Sequence, residues 1–305
     1  MTQEQLEHTG MVNEGAAQLP VERWIDVRPD DGGLRLHIRE WPGALRPFVL
    51  LHGLASNAST WDAVATRLAA HGHHVVAVDQ RGHGLSDKPD DGYEFTQMVG
   101  DLARLLKSLE LDAPVIAGQS WGGNVVLAFA AAYPGVAHRL VLVDGGFIDL
   151  QMRPEASWER VASELRPPDL AGLPRSLLKE RIRAAHPDWS DDGVDATLAN
   201  FEILADGTVR PWLTLPRHMS ILRAMWDQRP TTLYPLVTTP VTIVVAEDPG
   251  NPAWMEIKQS QVAAAAAALP KASVHWFSST AHDIHVHRPA ELATLMLNHG
   301  LEQEG

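Results

Sequence analysis

The chain of 305 residues contains no cysteine. Disulfides, thiolate nucleophiles and cysteine-based metal sites are therefore excluded outright. Positive charge is also scarce: 25 Lys and Arg stand against 38 Asp and Glu, a formal net charge of −13. Such a balance repels nucleic acid and anionic membrane surfaces, so neither is expected as a partner. No uninterrupted apolar run approaches the ~18 residues that a membrane-spanning helix needs. The segment Met1–His8 is polar and acidic and has neither the basic nor the apolar region of a secretory signal, so a soluble cytoplasmic protein is the expectation. What the chain does have is 45 % hydrophobic residues, enough to bury a large core.

The run Gly118-Gln119-Ser120-Trp121-Gly122 lies between an apolar strand pattern, Pro114 to Ala117, and a helical one, Asn124 to Ala130. A serine at such a strand-to-helix turn is a nucleophile elbow: glycines on either side let backbone pass closely, and the first helical N–H groups face developing negative charge. Upstream, Pro47 to Leu51 is another buried-strand pattern, ending in His52-Gly53 and a loop of small polar residues. A loop there can supply one backbone N–H to an oxyanion hole, assigned to Leu54, and the second donor is assigned to the N–H of Trp121. Downstream, Ala272 to Phe277 reads as a last strand, which places His282 on a strand-end loop as general base. A carboxylate should accept the other imidazole N–H. Asp248, at the exit of the strand Pro240 to Ala246, is the first choice; Asp144, at the exit of Arg139 to Val143, is the alternative, and Glu247 a third candidate.

Taken with Asp79-Gln80-Arg81-Gly82-His83-Gly84-Leu85-Ser86-Asp87 and Leu140 to Gly146, these motifs resemble the α/β-hydrolase superfamily from about Trp24 to the C-terminus. The resemblance implies an α/β fold with a mostly parallel eight-stranded sheet, helices on both faces and an inserted helical cap. It points to the esterase, lactonase and C–C hydrolase branch, and serine at the elbow argues against haloalkane dehalogenase or epoxide hydrolase chemistry. The chain departs from the family pattern in one place. Ala246-Glu247-Asp248 lacks the usual glycine three residues before the acid, and Pro249 to Trp254 looks inserted.

Two alternating stretches, Trp24 to Arg28 and Leu34 to Arg39, are joined by Pro29-Asp30-Asp31-Gly32-Gly33 and predict a hairpin. From Phe48 the strands become continuously apolar, the signature of a parallel sheet covered on both faces. The rhythm breaks from about Phe147 to Pro230, where proline clusters alternate with helical patterns and no buried-strand run occurs. The division expected is a tail over 1–20, a core over 21–146 and 231–305, and a helical cap over 147–230. Within the cap, Trp158, Trp189, Trp212 and Trp226 read mainly as packing, as do Met219, Leu222 and Met225, while Trp121 is the aromatic expected beside substrate. His71, His73 and His74 read as a surface turn, His285 and His287 as solvated or capping residues, and Asp101 as a helix-face or capping charge. Asp79 to Asp87 lacks the residues of a phosphate loop and reads as a turn whose charges pair locally.

The activity expected is hydrolysis of a small carboxylic ester or lactone through an acyl-enzyme, with no cofactor and no metal. C–C bond hydrolysis, or cofactor-free peroxidase or lyase chemistry on the same triad, is the alternative enzyme reading. A ligand-binding receptor that keeps the hydrolase fold is the non-enzymatic one.

Overall fold

The computed structural model describes residues 19–28, 30, 32–248, 250 and 252–300. Most of the tail expected over 1–20 therefore lies outside the described residues. The chain opens with the hairpin read from its alternation: β1 (Val21–Asp26) pairs antiparallel with β2 (Arg35–Trp41). The strands that follow are β3 (Leu45–Leu51), β4 (His73–Val78), β5 (Val115–Gln119) and β6 (Arg139–Val143). A long segment then intervenes, containing the short pair β7 (Phe201–Ile203) and β8 (Val209–Pro211), before β9 (Val241–Glu247) and β10 (Ser273–Ser278) complete the sheet.

Eight of these strands form one sheet in the order β1-β2-β4-β3-β5-β6-β9-β10, parallel from β4 onward. The interior strands are buried along nearly their whole length, as parallel strands covered on both faces must be. Strand order reverses at β3, which pairs with β4 on one side and β5 on the other. In open α/β sheets, such a switch point leaves a crevice at the carboxyl ends of the strands, where ligands settle. His52-Gly53 and Ser120 sit at those two strand ends.

Helices flank the sheet: α1 (Asp62–Ala70), α2 (Phe95–Ser108) and α3 (Trp121–Ala132) follow the first parallel strands. In α2, Met98, Val99, Leu102, Leu105 and Leu106 recur at helical spacing and are buried, giving one apolar stripe. By contrast, every residue of α3 from Trp121 to Ala130 is buried, so this helix is apolar all round. It is held between the sheet and what covers it.

Between β6 and β9 lie α4 (Trp158–Glu164), α5 (Arg175–Ala185), α6 (Asp191–Leu198), α7 (Leu215–Asp227) and α8 (Pro230–Leu233). Serines start two of them, Ser157 accepting from the Arg160 N–H and Ser190 from the Gly193 N–H. The segment is not purely helical, since β7 and β8 form an antiparallel ribbon. These strands are three residues each, too short for a strand pattern to emerge from sequence. After β9 come α9 (Pro252–Ala268), α10 (Ile284–His287) and α11 (Pro289–Gly300).

Apolar side chains collect in two main clusters, one on each sheet face. The larger contains Val161, Leu213, Ile221, Leu222 and Met225 from the intervening segment together with strand and α3 residues, so α4 and α7 share the main core. Around α5 and α6 there is a separate small cluster, Leu178, Leu198 and Val209. Several surface readings prove to be buried structure. His73 opens β4, is 1 % exposed and hydrogen-bonds the Arg46 carbonyl from Nδ1. His285 is fully buried against Trp61, with ring centroids 4.6 Å apart, and His287 pairs with Asp188 at 2.6 Å. Asp101 is 2 % exposed and receives the Arg81 guanidinium at 2.8 Å, so the charges of the Asp79 to Asp87 turn pair across the fold and not locally. A lone charge within a helical pattern gives no sign that a distant arginine will be folded onto it.

Candidate active site

Ser120 joins β5 to α3 with φ 53° and ψ −122°, a conformation that costs a β-carbon-bearing residue strain and that persists only when its surroundings impose it. The surroundings do so. Its N–H donates to the Val143 carbonyl at 2.9 Å, and the glycines around it leave no room for a side chain. A Cβ on Gly118 would lie 2.3 Å from the Gly122 carbonyl oxygen, and one on Gly122 would lie 2.5 Å from the His52 oxygen. The elbow glycines are thus demanded by close backbone approach. Gly53 closes in from the β3 side, where an added Cβ would lie 3.2 Å from the Ser120 Cβ.

The loop after β3 is braced by two buried histidines in defined tautomers. His52 Nδ1–H donates to the Gly53 carbonyl at 2.7 Å, while its Nε2 accepts the Gln80 N–H at 3.1 Å. His83 repeats the device: Nδ1–H donates to the Arg81 carbonyl at 3.0 Å, and Nε2 accepts the Ala55 N–H at 3.2 Å. Because each ring accepts a backbone N–H, each must be neutral. Burial pushes both pKa values down, His83 well below its ordinary range with help from the neighbouring His52. Ala55 N–H is thereby engaged, and Ser56 N–H donates to the Gly53 carbonyl, whereas the Leu54 N–H just before them makes no hydrogen bond among the described residues. The N–H of Trp121, at the first position of α3, has no intrahelical acceptor. Its indole is the aromatic expected beside substrate. The ring is fully buried and stacks on His83 at 5.3 Å between centroids.

His282 follows β10 on a loop fastened by Thr280 N–H donating to the Glu247 carbonyl at 3.2 Å. The Gln119 side-chain amide donates to the His282 carbonyl at 3.3 Å, so the residue before Ser120 holds the backbone that carries the histidine. The imidazole Nδ1–H donates to Asp144 Oδ2 at 2.6 Å. Asp144, and not the first-choice Asp248, is therefore the carboxylate brought to the histidine.

The physical reason lies at the strand ends. Asp144 leaves β6 with φ +44°, a left-handed kink that swings its carboxylate over the end of β9, where Oδ1 accepts the Ala246 N–H at 3.0 Å. The Asp248 carboxylate is spent on its own turn, accepting the Gly250 N–H at 2.9 Å. Glu247 accepts the Ser278 hydroxyl at 2.7 Å.

Asp144 is 1 % exposed, and the same Oδ2 also receives Lys258 Nζ at 2.9 Å. Burial alone would raise its pKa, but the hydrogen bond and charge of His282 and the Lys258 ammonium outweigh it, and the group is held below the ordinary carboxylate range. The His282 side chain keeps 48 % of its surface accessible, leaving its other edge open. Desolvation on its protein-facing side lowers its pKa, yet the Asp144 hydrogen bond and charge more than compensate, and the net shift is upward. Lys258 did not stand out in the sequence, and His52 and His83 did so only as members of their motifs, with no sign that their rings brace the loop after β3. The one available signal for Lys258 was that it is the single cationic residue of α9.

A cavity of about 480 Å³ adjoins Ala55, the residue after Leu54. Its walls come mostly from the segment between β6 and β9 and include Pro167, Leu170, Phe201, Leu213 and Leu215, with Arg166 and His218 as polar members. Among the described residues no group of three or more His, Cys, Asp or Glu is arranged to hold a metal, and no helix is long and apolar enough to cross a membrane.

Comparison with known proteins bears on the fold and the family. The chain is 35 % identical over 129 residues to 2-(acetamidomethylene)succinate hydrolase of Mesorhizobium japonicum, a stretch covering 42 % of this chain and 46 % of that protein. It is 36 % identical over 113 residues to a non-heme chloroperoxidase of Streptomyces lividans, covering 36 % and 41 % respectively. The chain thus spans less than half the length of each of these curated relatives. The crystal structure of E-2-(acetamidomethylene)succinate hydrolase superposes with a TM-score of 0.74 at 23 % identity, over 92 % of this chain and 98 % of that one, which shows a common fold. The model of the Alpha/beta hydrolase family matches residues 48–295. With an eight-stranded sheet, an elbow serine and a carboxylate-bound histidine at its carboxyl edge, the chain belongs to the alpha/beta hydrolase family.

Proposed function

We propose that the protein is a serine hydrolase acting on a carboxylic ester or lactone of small to medium size. The observation that carries this reading is the His282–Asp144 hydrogen bond of 2.6 Å, formed at the same sheet edge as a serine on a strained turn. With Nδ1–H engaged by Asp144, Nε2 of His282 is the atom free to take a proton. In the scheme, Ser120 Oγ attacks the carbonyl carbon while its proton passes to His282 Nε2. The N–H groups of Leu54 and Trp121 hold the oxyanion, and the alcohol leaves with the proton from His282. Water attacks the acyl-enzyme by the same route, releasing the acid and restoring Ser120. No cofactor enters these steps.

The mostly apolar cavity beside Ala55 suits the acyl or alcohol part of such a substrate. In this reading the segment 147–230 is a cap over the serine. A second substrate, 2-(acetamidomethylene)succinate, is favoured by the 35 % identity with the hydrolase named for it.

The test is turnover of a chain-length series of p-nitrophenyl esters, a few lactones and 2-(acetamidomethylene)succinate by wild type and Ser120→Ala. The variant is expected to retain wild-type circular dichroism and to lose at least ~10³-fold in kcat. Equal rates in the two proteins would remove Ser120 from the chemistry, and no turnover of any ester or lactone would remove the ester reading.

A further inference from the structure

A lysine that is 3 % exposed in the middle of a helix demands an explanation, because burying an ammonium is costly unless it is paired and hydrogen-bonded. Lys258 reaches from α9 to the end of β9, donating to Asp144 Oδ2 at 2.9 Å and to the Ala246 carbonyl at 2.9 Å. An apolar residue of similar volume would fill this space without the desolvation cost, so packing alone does not account for a charge here. What distinguishes the place is its partner. Asp144 Oδ2 is the very oxygen that accepts Nδ1–H of His282.

We propose that Lys258 is a positioning residue of the hydrolytic centre, fixing the Asp144 carboxylate and sharing its Oδ2 with His282 so that this oxygen draws the protonated imidazole less strongly. The proposal rests on the hydrolase reading for its catalytic meaning, and on the three-way contact for its geometry. Three donors divide the carboxylate: the Ala246 N–H on Oδ1, with Lys258 and His282 both on Oδ2. The Ala246 carbonyl and amide, both from one residue of β9, clamp Lys258 and Asp144 respectively. With Asp144 ionised and His282 neutral, Lys258 leaves the buried group without net charge, so the resting enzyme has no unpaired buried anion to favour early protonation of the base. Other ionisable groups near the ring are Asp283 beside it and His285 in α10, which in turn feels His52 after β3, and Glu247 at the end of β9 is engaged by Ser278. Asp283 also favours the imidazolium, and Lys258 opposes it.

The consequence is a pH window. A general base works in its neutral form, so a group that restrains His282 from protonating extends activity toward acid. Removing the ammonium is expected to move the His282 titration midpoint upward by ~0.5–1 pH unit, the scale of one nearby charge partly screened by solvent.

The experiment is NMR titration of the His282 Cε1–H signal, assigned with His282→Gln, in wild type, Lys258→Met and Lys258→Gln. Gln keeps a hydrogen-bond donor to Asp144 while losing the charge, so it remains informative where Met disturbs packing. Upward midpoints in the folded variants, mirrored by an upward shift in the acid limb of kcat/KM for a p-nitrophenyl ester, are the expected result. A midpoint within ~0.2 unit of wild type, or below it, would overturn the proposal, and failure of both variants to fold would do so by assigning the ion pair to structure alone. Because the titration needs no turnover, a wild type inert toward esters would sink the hydrolase reading while leaving the Lys258 measurement intact.

Discussion

At the scale of single residues, the competition between Asp144 and Asp248 yields a clean contrast. Asp144→Asn replaces the acceptor on His282 Nδ1 by a group that can present N–H₂ in its place, favouring the wrong tautomer and stranding the buried Lys258. A loss of about 10³–10⁴-fold in kcat/KM is expected. Asp248→Asn alters only an acceptor within its own turn and is expected to stay within about twofold of wild type. Comparable losses in both variants would show that the geometry at β6 is not the one used in turnover. The same pair sets a pH dependence. Since the net effect on His282 is to raise its pKa, the base gains its proton at a pH above the ordinary 6.5. The kcat/KM profile is therefore expected to fall on acidification with a midpoint above 6.5, and a midpoint below it would count against His282 as the base.

Elements of structure were legible in the sequence wherever a short-range pattern has a single physical cause. Alternation gave the β1–β2 hairpin, continuous apolar runs gave the parallel strands, and glycine on both sides of Ser120 gave the turn, because only backbone-to-backbone packing requires it. Asp144 and Asp248 each follow a strand, and the one local difference, the irregular spacing at Ala246-Glu247-Asp248, does not say which carboxylate reaches the histidine. The difference comes from which strand end the left-handed kink at Asp144 carries its carboxylate across, a matter of tertiary placement. The same applies to α10, whose His-rich sequence reads as surface. His285 is buried with both ring nitrogens unpartnered among the described residues, and burial pushes its pKa down to about 4. The unfolded chain binds this proton near pH 6.5 while the folded one refuses it until about pH 4. Stability from this group is thus complete above 6.5 and drains away as pH falls toward 4, by about 3 kcal/mol in all. His285→Phe keeps the ring against Trp61 and removes the titration, so its urea-unfolding free energy is expected to decline less steeply between these pH values. Parallel pH profiles for the two proteins would show that His285 is not the group responsible.

For the molecule as a whole, the question is whether the residues between β6 and β9 form a separately folding lid or part of the core. Apolar packing divides them. Leu213, Ile221, Leu222 and Met225 around α7, with Val161 of α4, lie in the same cluster as the strands and α3. Leu178, Leu198 and Val209, from α5, α6 and β8, form a small cluster of their own. Opening α7 exposes the main core and should cost nearly the full unfolding free energy, whereas opening α5 and α6 gives up two small clusters, the second being Val194 and Trp189 against Val286, and the Asn57 hydrogen bond to the Ala196 carbonyl. Native-state hydrogen exchange followed by mass spectrometry is expected to show peptides of α7 protected to within ~1 kcal/mol of β5 and β6, and peptides of α5 and α6 exchanging through a cheaper opening. Leu222→Ala should lower global stability by about 2–5 kcal/mol, and Leu178→Ala should mainly accelerate exchange in its own neighbourhood. If α4 to α7 exchanged as one unit, the shared cluster would not be coupling α7 to the sheet, and the whole segment would act as a single lid.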